Sequence, residues 1–287
     1  MRTGCLGLLA SLAILALAAD ALAWWQARRP LPAPPTYVAM GSSFAAGAGL
    51  GSLAPGSPWL CARSTAGYPP QLARMLKLPL TDMSCGGAVT HHLLHGGQFF
   101  QGPQLRAVGP ATRLVTITVG GNDVGYIGDL SLLAARHSHS LWGWLVRSFW
   151  PGPEPVEARD WTTLERELAA TITAVHRQAP AGRVVVATYP AILPPRGTCP
   201  ALALTANEAA LMRTVGDRLA ATTRAAATKA GATVIDMTAL GQAHNACATQ
   251  PWARGYAGIA PFHPTLVGAH ATATAIAITL RSPARKR

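Results

Sequence analysis

Five short apolar, β-branched runs with helical stretches between them predict an α/β fold built on a five-stranded parallel sheet. The runs are Tyr37 to Met40, Leu78 to Met83, Leu114 to Val119, Val184 to Thr188 and Thr233 to Ile235. They are apolar without alternation, the pattern of strands covered by helices on both faces. One helix runs from about Trp161 to Gln178. The clearest opens with the capping box Thr205-Ala206-Asn207-Glu208, continues from Ala209 to Lys229 and stops just before Gly231. The last begins near Pro264-Thr265 and reaches Ile278, with Leu266, Ala269, Ala273 and Ile276 at the spacing of a face packed on a sheet. In such folds chemistry gathers at the carboxyl ends of the strands.

A chain that is 49% hydrophobic and 13% charged, with 28 Gly and 23 Pro, is globular rather than disordered, collagen-like or polytopic. Its net charge of +12 is uneven, because Arg2, Arg28, Arg29, Arg281, Arg285, Lys286 and Arg287 all lie in the end segments. No basic stripe interleaved with aromatics accompanies it, so nucleic acid is not an expected partner. Residues 1–23 read as a signal peptide, with Arg2, an apolar run from Leu6 to Ala19 and the small-x-small site Ala21-Leu22-Ala23. The alternative is an uncleaved signal anchor stretched through Trp24 and Trp25. Residues 24–35 then form a linker made stiff by Pro30, Pro32, Pro34 and Pro35, residues 36–281 the folded domain, and residues 282–287 a basic tail. The expected location is therefore outside the cell or in its envelope.

Cysteine usage agrees with export. Cys5 falls in the targeting segment, and Cys61, Cys85, Cys199 and Cys247 are widely spaced with no C-x-x-C. Three connectivities are open to these four. The sequential pairing, Cys61 with Cys85 and Cys199 with Cys247, is expected because each bridge then closes a local loop beside a candidate site motif.

Three strand ends carry unusual sequences. The first run leads into Gly41-Ser42-Ser43-Phe44-Ala45-Ala46-Gly47, the second into Ser84-Cys85-Gly86-Gly87-Ala88 and the third into Gly120-Gly121-Asn122-Asp123. Near the C-terminus, Phe262-His263-Pro264-Thr265 puts a histidine on the loop before the last helix. A strand-end serine becomes a nucleophile when a base takes its proton and fixed donors hold the oxyanion that forms. Ser43 is the candidate nucleophile and His263 the base. The backbone N–H groups of Ser43 and Gly87, with the Asn122 amide, are the candidate oxyanion donors.

These four blocks together resemble the SGNH (GDSL-type) hydrolases, serine esterases and lipases on a flavodoxin-like three-layer α/β/α sandwich. The segment from Tyr37 to Gly47 resembles the G-D-S-x-x-x-G nucleophile block, and Gly120-Gly121-Asn122-Asp123 the G-x-N-D block. The blocks occur in the family's order across nearly the whole mature chain. The cysteine positions are similar to those of the secreted actinobacterial branch, where Cys85 would immediately precede the glycine donor block. Two departures stand out. Ser42 replaces the usual Asp before the nucleophile, and the usual D-x-x-H reads Ala260-Pro261-Phe262-His263. With no acidic residue between Asp236 and His263 or beyond it, a Ser-His dyad is expected, with the Ala260 carbonyl accepting the histidine Nδ1–H. Asp236 is the rival third member. Asp123 is expected to brace its loop.

The resemblance implies an exported carboxylic ester hydrolase needing no organic cofactor and no metal. His91 and His95, four apart, share a helical face, but no carboxylate stands near them in sequence. An α/β-hydrolase elbow is disfavoured because Ala45 stands where G-x-S-x-G needs glycine. Two other readings use the same residues: a non-catalytic lipid- or carbohydrate-binding envelope protein, and an acyltransferase or carbohydrate deacetylase acting through the same serine. The run Leu141 to Trp150, with Trp142, Trp144 and Trp150, is either an amphipathic helix docked on the core or a lid that touches membrane. The expected partner is an ester or lipid substrate, with the chain acting as a monomer.

Overall fold

The computed structural model describes residues 2–31 and 35–282, with side chains from Ser11 onward. Its centre is a parallel sheet of β1 (Tyr37–Gly41), β2 (Leu80–Asp82), β3 (Leu114–Thr118), β4 (Arg183–Ala187) and β5 (Thr233–Ile235). The spatial order is β2-β1-β3-β4-β5, the flavodoxin-like order. In chain order the helices are α1 (Arg2–Ala27), α2 (Ser43–Ala46), α3 (Tyr68–Leu76), α4 (Thr90–Leu94) and α5 (Tyr126–Arg136). They continue with α6 (Leu141–Phe149), α7 (Trp161–Gln178), α8 (Ala206–Lys229), α9 (Met237–Leu240) and α10 (Leu266–Arg281).

Strand alternation builds the three layers. Val38, Met40, Val115, Ile117, Val184 and Val186 point to one face, where Leu93 of α4, Leu168 and Ile172 of α7 and Ala226 of α8 cover them. Tyr37, Ala39, Leu114, Val185 and Ala187 point to the other, against Leu72 of α3 and Ala269, Ala273 and Ile276 of α10. Both faces are dry, which is why the strands read as continuous apolar runs. β2 is shorter than its run, because Leu78 closes the end of α3 by donating to the Ala73 carbonyl at 3.0 Å, and Pro79 has no N–H for a ladder.

The order reverses between β1 and β3, so this fold opens its crevice above their carboxyl ends. A third cluster roofs that region, joining Phe44, Val124, Tyr126, Trp161, Tyr189, Leu202, Met212 and Phe262. Within it Arg159, whose side chain is 1% exposed, pairs with Asp129 at 2.7 Å and donates to the Val124 and Glu154 carbonyls. This holds the segment that follows Asn122.

The N-terminal helix differs from expectation at its end. α1 continues to Ala27, so Trp24 to Ala27 of the predicted linker are helical; the helix stops only where Pro30 approaches, since a proline disfavours helix in the residue before it. Gln26 accepts from the Trp59 N–H at 3.0 Å, while Leu12, Leu15, Leu17 and Trp25 stay exposed. Among the described residues no helix is long and apolar enough to cross a membrane. Pro32, Pro34 and the tail residues 283–287 lie outside the described residues.

Candidate active site

The end of β1 is set by a close approach. Gly41 has φ +134°, and a Cβ there would lie 2.2 Å from the Thr118 carbonyl oxygen of β3, so glycine is required. Gln104, buried and distant in sequence, clamps the same residue: the Gly41 N–H donates to Oε1 at 2.7 Å and Nε2 donates to the Gly41 carbonyl at 3.0 Å. Ser42 donates its N–H to Thr118 at 2.9 Å, and the chain turns into α2 with Ser43 as its first residue.

Facing Ser43 is His263, on the loop before α10. Its Nε2 lies 2.8 Å from Ser43 Oγ, and its Nδ1 lies 2.8 Å from the carbonyl oxygen of Pro261. A carbonyl can only accept, so Nδ1 carries the proton and Nε2 presents its lone pair to the serine hydroxyl. The partner is therefore the Pro261 carbonyl and not that of Ala260, which instead accepts the His263 backbone N–H at 3.4 Å. The reason is local: Phe262, fully buried, adopts the left-handed φ of +60° and turns the preceding carbonyl toward the ring. Burial is the main influence on the imidazole and pushes its pKa down; the Pro261 bond opposes this and the Arg254 charge adds to it.

Asp236 is engaged elsewhere. It caps α9 through the Ala239 N–H at 3.1 Å and meets Arg224 Nη1 at 3.1 Å, so it does not complete a triad.

Two hydrogen bonds gather the remaining donors beside Ser43. Cys85 donates its N–H to the Gly41 carbonyl at 3.0 Å, which lays the Gly86-Gly87 turn against the end of β1. Asn122 donates from Nδ2 to the Ala88 carbonyl at 2.9 Å, leaving the second amide hydrogen available. Gly87 has φ +78°. Among the described residues neither the Ser43 nor the Gly87 N–H has a protein acceptor. Asp123 braces the loop, its Oδ1 accepting from the Thr90 N–H at 2.9 Å and from the Thr90 hydroxyl.

One residue that sequence reading missed ties these parts together. The Tyr189 hydroxyl, buried after β4, lies 2.8 Å from Ser42 Oγ and accepts the Gly121 N–H at 3.2 Å. Ser42, where the family usually has Asp, thereby couples the nucleophile turn to the Asn122 loop. The disulfides flank the site: Cys61 is joined to Cys85, two residues before Gly87, and Cys199 to Cys247 against the roof cluster.

The sequence matches the GDSL-like lipase/acylhydrolase family over residues 39–271, from β1 into α10. The chain belongs to this family. It is a serine carboxylic ester hydrolase of the GDSL type. Lipase 2 of Streptomyces coelicolor is 32% identical over 257 residues, 83% of this chain and 84% of that protein. A lipase of Streptomyces rimosus is 29% identical over 217 residues, 75% of each. Among solved structures, phospholipase A1 of Streptomyces albidoflavus NA297 superposes with a TM-score of 0.67 at 28% identity, covering 87% of this chain and all of that one. The extracellular lipase of Streptomyces rimosus gives a TM-score of 0.67 at 27% identity, covering 86% and 99%. These relatives place the chain in the actinobacterial branch of the family.

Outside the crevice, α6 projects apolar side chains. Gly143 and Val146 face inward, while Leu141, Trp142, Trp144 and Phe149 are each more than half exposed. Trp150 departs from the predicted patch: it packs on the roof cluster, with the Arg136 guanidinium 5.7 Å from its ring centre.

Proposed function

We propose that this chain is an exported lipase that cleaves carboxylic esters through an acyl-enzyme on Ser43, with His263 as general base. The carrying observation is the 2.8 Å approach of Nε2 to Ser43 Oγ with Nδ1 held by a backbone carbonyl. Nε2 takes the serine proton as Oγ attacks the ester carbonyl carbon. The carbonyl electron pair moves onto oxygen, where the Ser43 and Gly87 N–H groups and Asn122 Nδ2 stabilise it. Collapse expels the alcohol, which receives the proton from His263. Water repeats the sequence and frees the acid. The Pro261 carbonyl fixes the tautomer but brings no net charge to the imidazolium, so catalysis rests more heavily on the oxyanion donors.

Because the base must be neutral, the downward pKa of His263 predicts an acid limb of kcat/KM that falls only below pH 6.5. Removing the Arg254 charge raises that pKa, so Arg254→Gln moves the limb toward higher pH. A wild-type limb above 6.5 in a pH profile on a short p-nitrophenyl ester contradicts the assignment.

Export is supported by the N-terminal apolar segment and by two disulfides. A lipid substrate is supported by relatives named lipase and phospholipase A1. The exposed Leu141, Trp142, Trp144 and Phe149 supply a membrane-touching face. Trp142→Ser with Trp144→Ser is expected to lower hydrolysis of phospholipid vesicles about tenfold or more while leaving p-nitrophenyl acetate turnover unchanged, two exposed indoles adding more than about 1.4 kcal/mol of burial. Equal rates on vesicles in the variant and the wild type would contradict the membrane role.

A further inference from the structure

Where α4 packs on α7, the two helices bring together a donor set in which Glu167 lies 72 residues beyond His95 in the sequence. His91 and His95 lie one helical turn apart, and the turn is intact because the His95 N–H donates to the His91 carbonyl at 2.9 Å. Their rings stand 4.5 Å apart between centres, on an exposed face. Opposite them is Glu167 of α7, with Oε2 3.7 Å from His95 Nε2. One ligand atom from each of the three residues lies within 4.8 Å of the others.

A second observation concerns Glu167 itself. Its side chain is only 14% exposed, and Oε2 is buried without a hydrogen-bond partner. Its other oxygen meets Arg166 at 3.4 Å. A buried, unpartnered carboxylate oxygen is costly unless a cation or donor satisfies it. The 3.7 Å gap to His95 is too long for a hydrogen bond but close to the spacing of two ligands on one tetrahedral ion.

We infer that His91, His95 and Glu167 form a zinc site that clamps α4 to α7. Two neutral imidazoles and one carboxylate carry a single negative charge, and this His2Glu set suits a borderline divalent ion better than calcium or magnesium, which prefer oxygen ligands. Small rotations of the exposed histidines bring three ligands to bonding distance, with water as the fourth. The clamp has a structural consequence at the ester site. α4 begins at Thr90, which holds Asp123, so fixing α4 braces the turn carrying Gly87 and the loop carrying Asn122.

The test uses the full chain, stripped with chelator, and reads binding by calorimetry and Tm by scanning. One zinc per chain is expected. With free zinc about 100-fold above Kd, Tm rises by about 5–10 °C. Magnesium and calcium chloride leave Tm unchanged. The rise is lost in the His91→Ala and His95→Ala double variant and reduced in Glu167→Gln, while all three proteins hydrolyse p-nitrophenyl acetate without added metal. Absence of saturable zinc binding, wild-type affinity in either variant, or an equal shift with magnesium or calcium would overturn the site.

Discussion

Ser43→Ala is expected to lower kcat on p-nitrophenyl esters by about 10⁴- to 10⁶-fold with the fold intact. The size follows from the division of labour in the crevice. On the proposed mechanism, losing Oγ removes the acyl-enzyme and leaves water attack assisted by the donors and by substrate positioning. The fold survives because the substitution removes one hydroxyl whose partner, His263 Nε2, lies in the partly exposed crevice and can be met by water. His263→Ala should fall in the same range, since the two act as one unit. Measured on protein with an unchanged Tm, a rate within about tenfold of wild type in Ser43→Ala would remove Ser43 as the nucleophile, and the same result in His263→Ala would remove His263 as its base.

Asn122→Ala carries the second-largest effect, a loss of about 100- to 1,000-fold in kcat. The amide is pre-oriented by its bond to the Ala88 carbonyl, so its free N–H costs no reorganisation when negative charge develops. With the proposed dyad the donor counts for more than in a triad enzyme, because no carboxylate would support the imidazolium. The stability cost is small by comparison, about 1 kcal/mol for one lost hydrogen bond at a partly exposed position. KM should change little if the interaction strengthens only in the transition state. A rise in KM with kcat unchanged would assign Asn122 to ground-state binding instead.

Most of the frame was legible in the sequence, for identifiable reasons. β1, β3, β4 and β5 are apolar runs because both sheet faces are covered, and Thr205 with Glu208 forms the capping box that starts α8. Ser43, Gly87, Asn122 and His263 stood out as polar or glycine-rich breaks at strand and loop ends. What could not be read depends on single torsions or on distant pairs. The carbonyl that meets His263 is that of Pro261, one residue beyond the expected Ala260, because the left-handed turn at Phe262 has no sequence signature. Gln104 and Tyr189 act across 63 and 147 residues of chain, and neither type is unusual in a core. Glu167 meets His91 and His95 only because α7 packs beside α4, a pairing between segments distant in sequence.

The most direct measurement is covalent labelling with a fluorophosphonate, located by peptide mass spectrometry in the wild type and in His263→Ala. A dyad oriented by a backbone carbonyl predicts one label per chain, on Ser43, and almost none in the variant at equal time and concentration. Labelling that is absent from the wild type, falls on another serine, or proceeds equally without His263 would contradict the account.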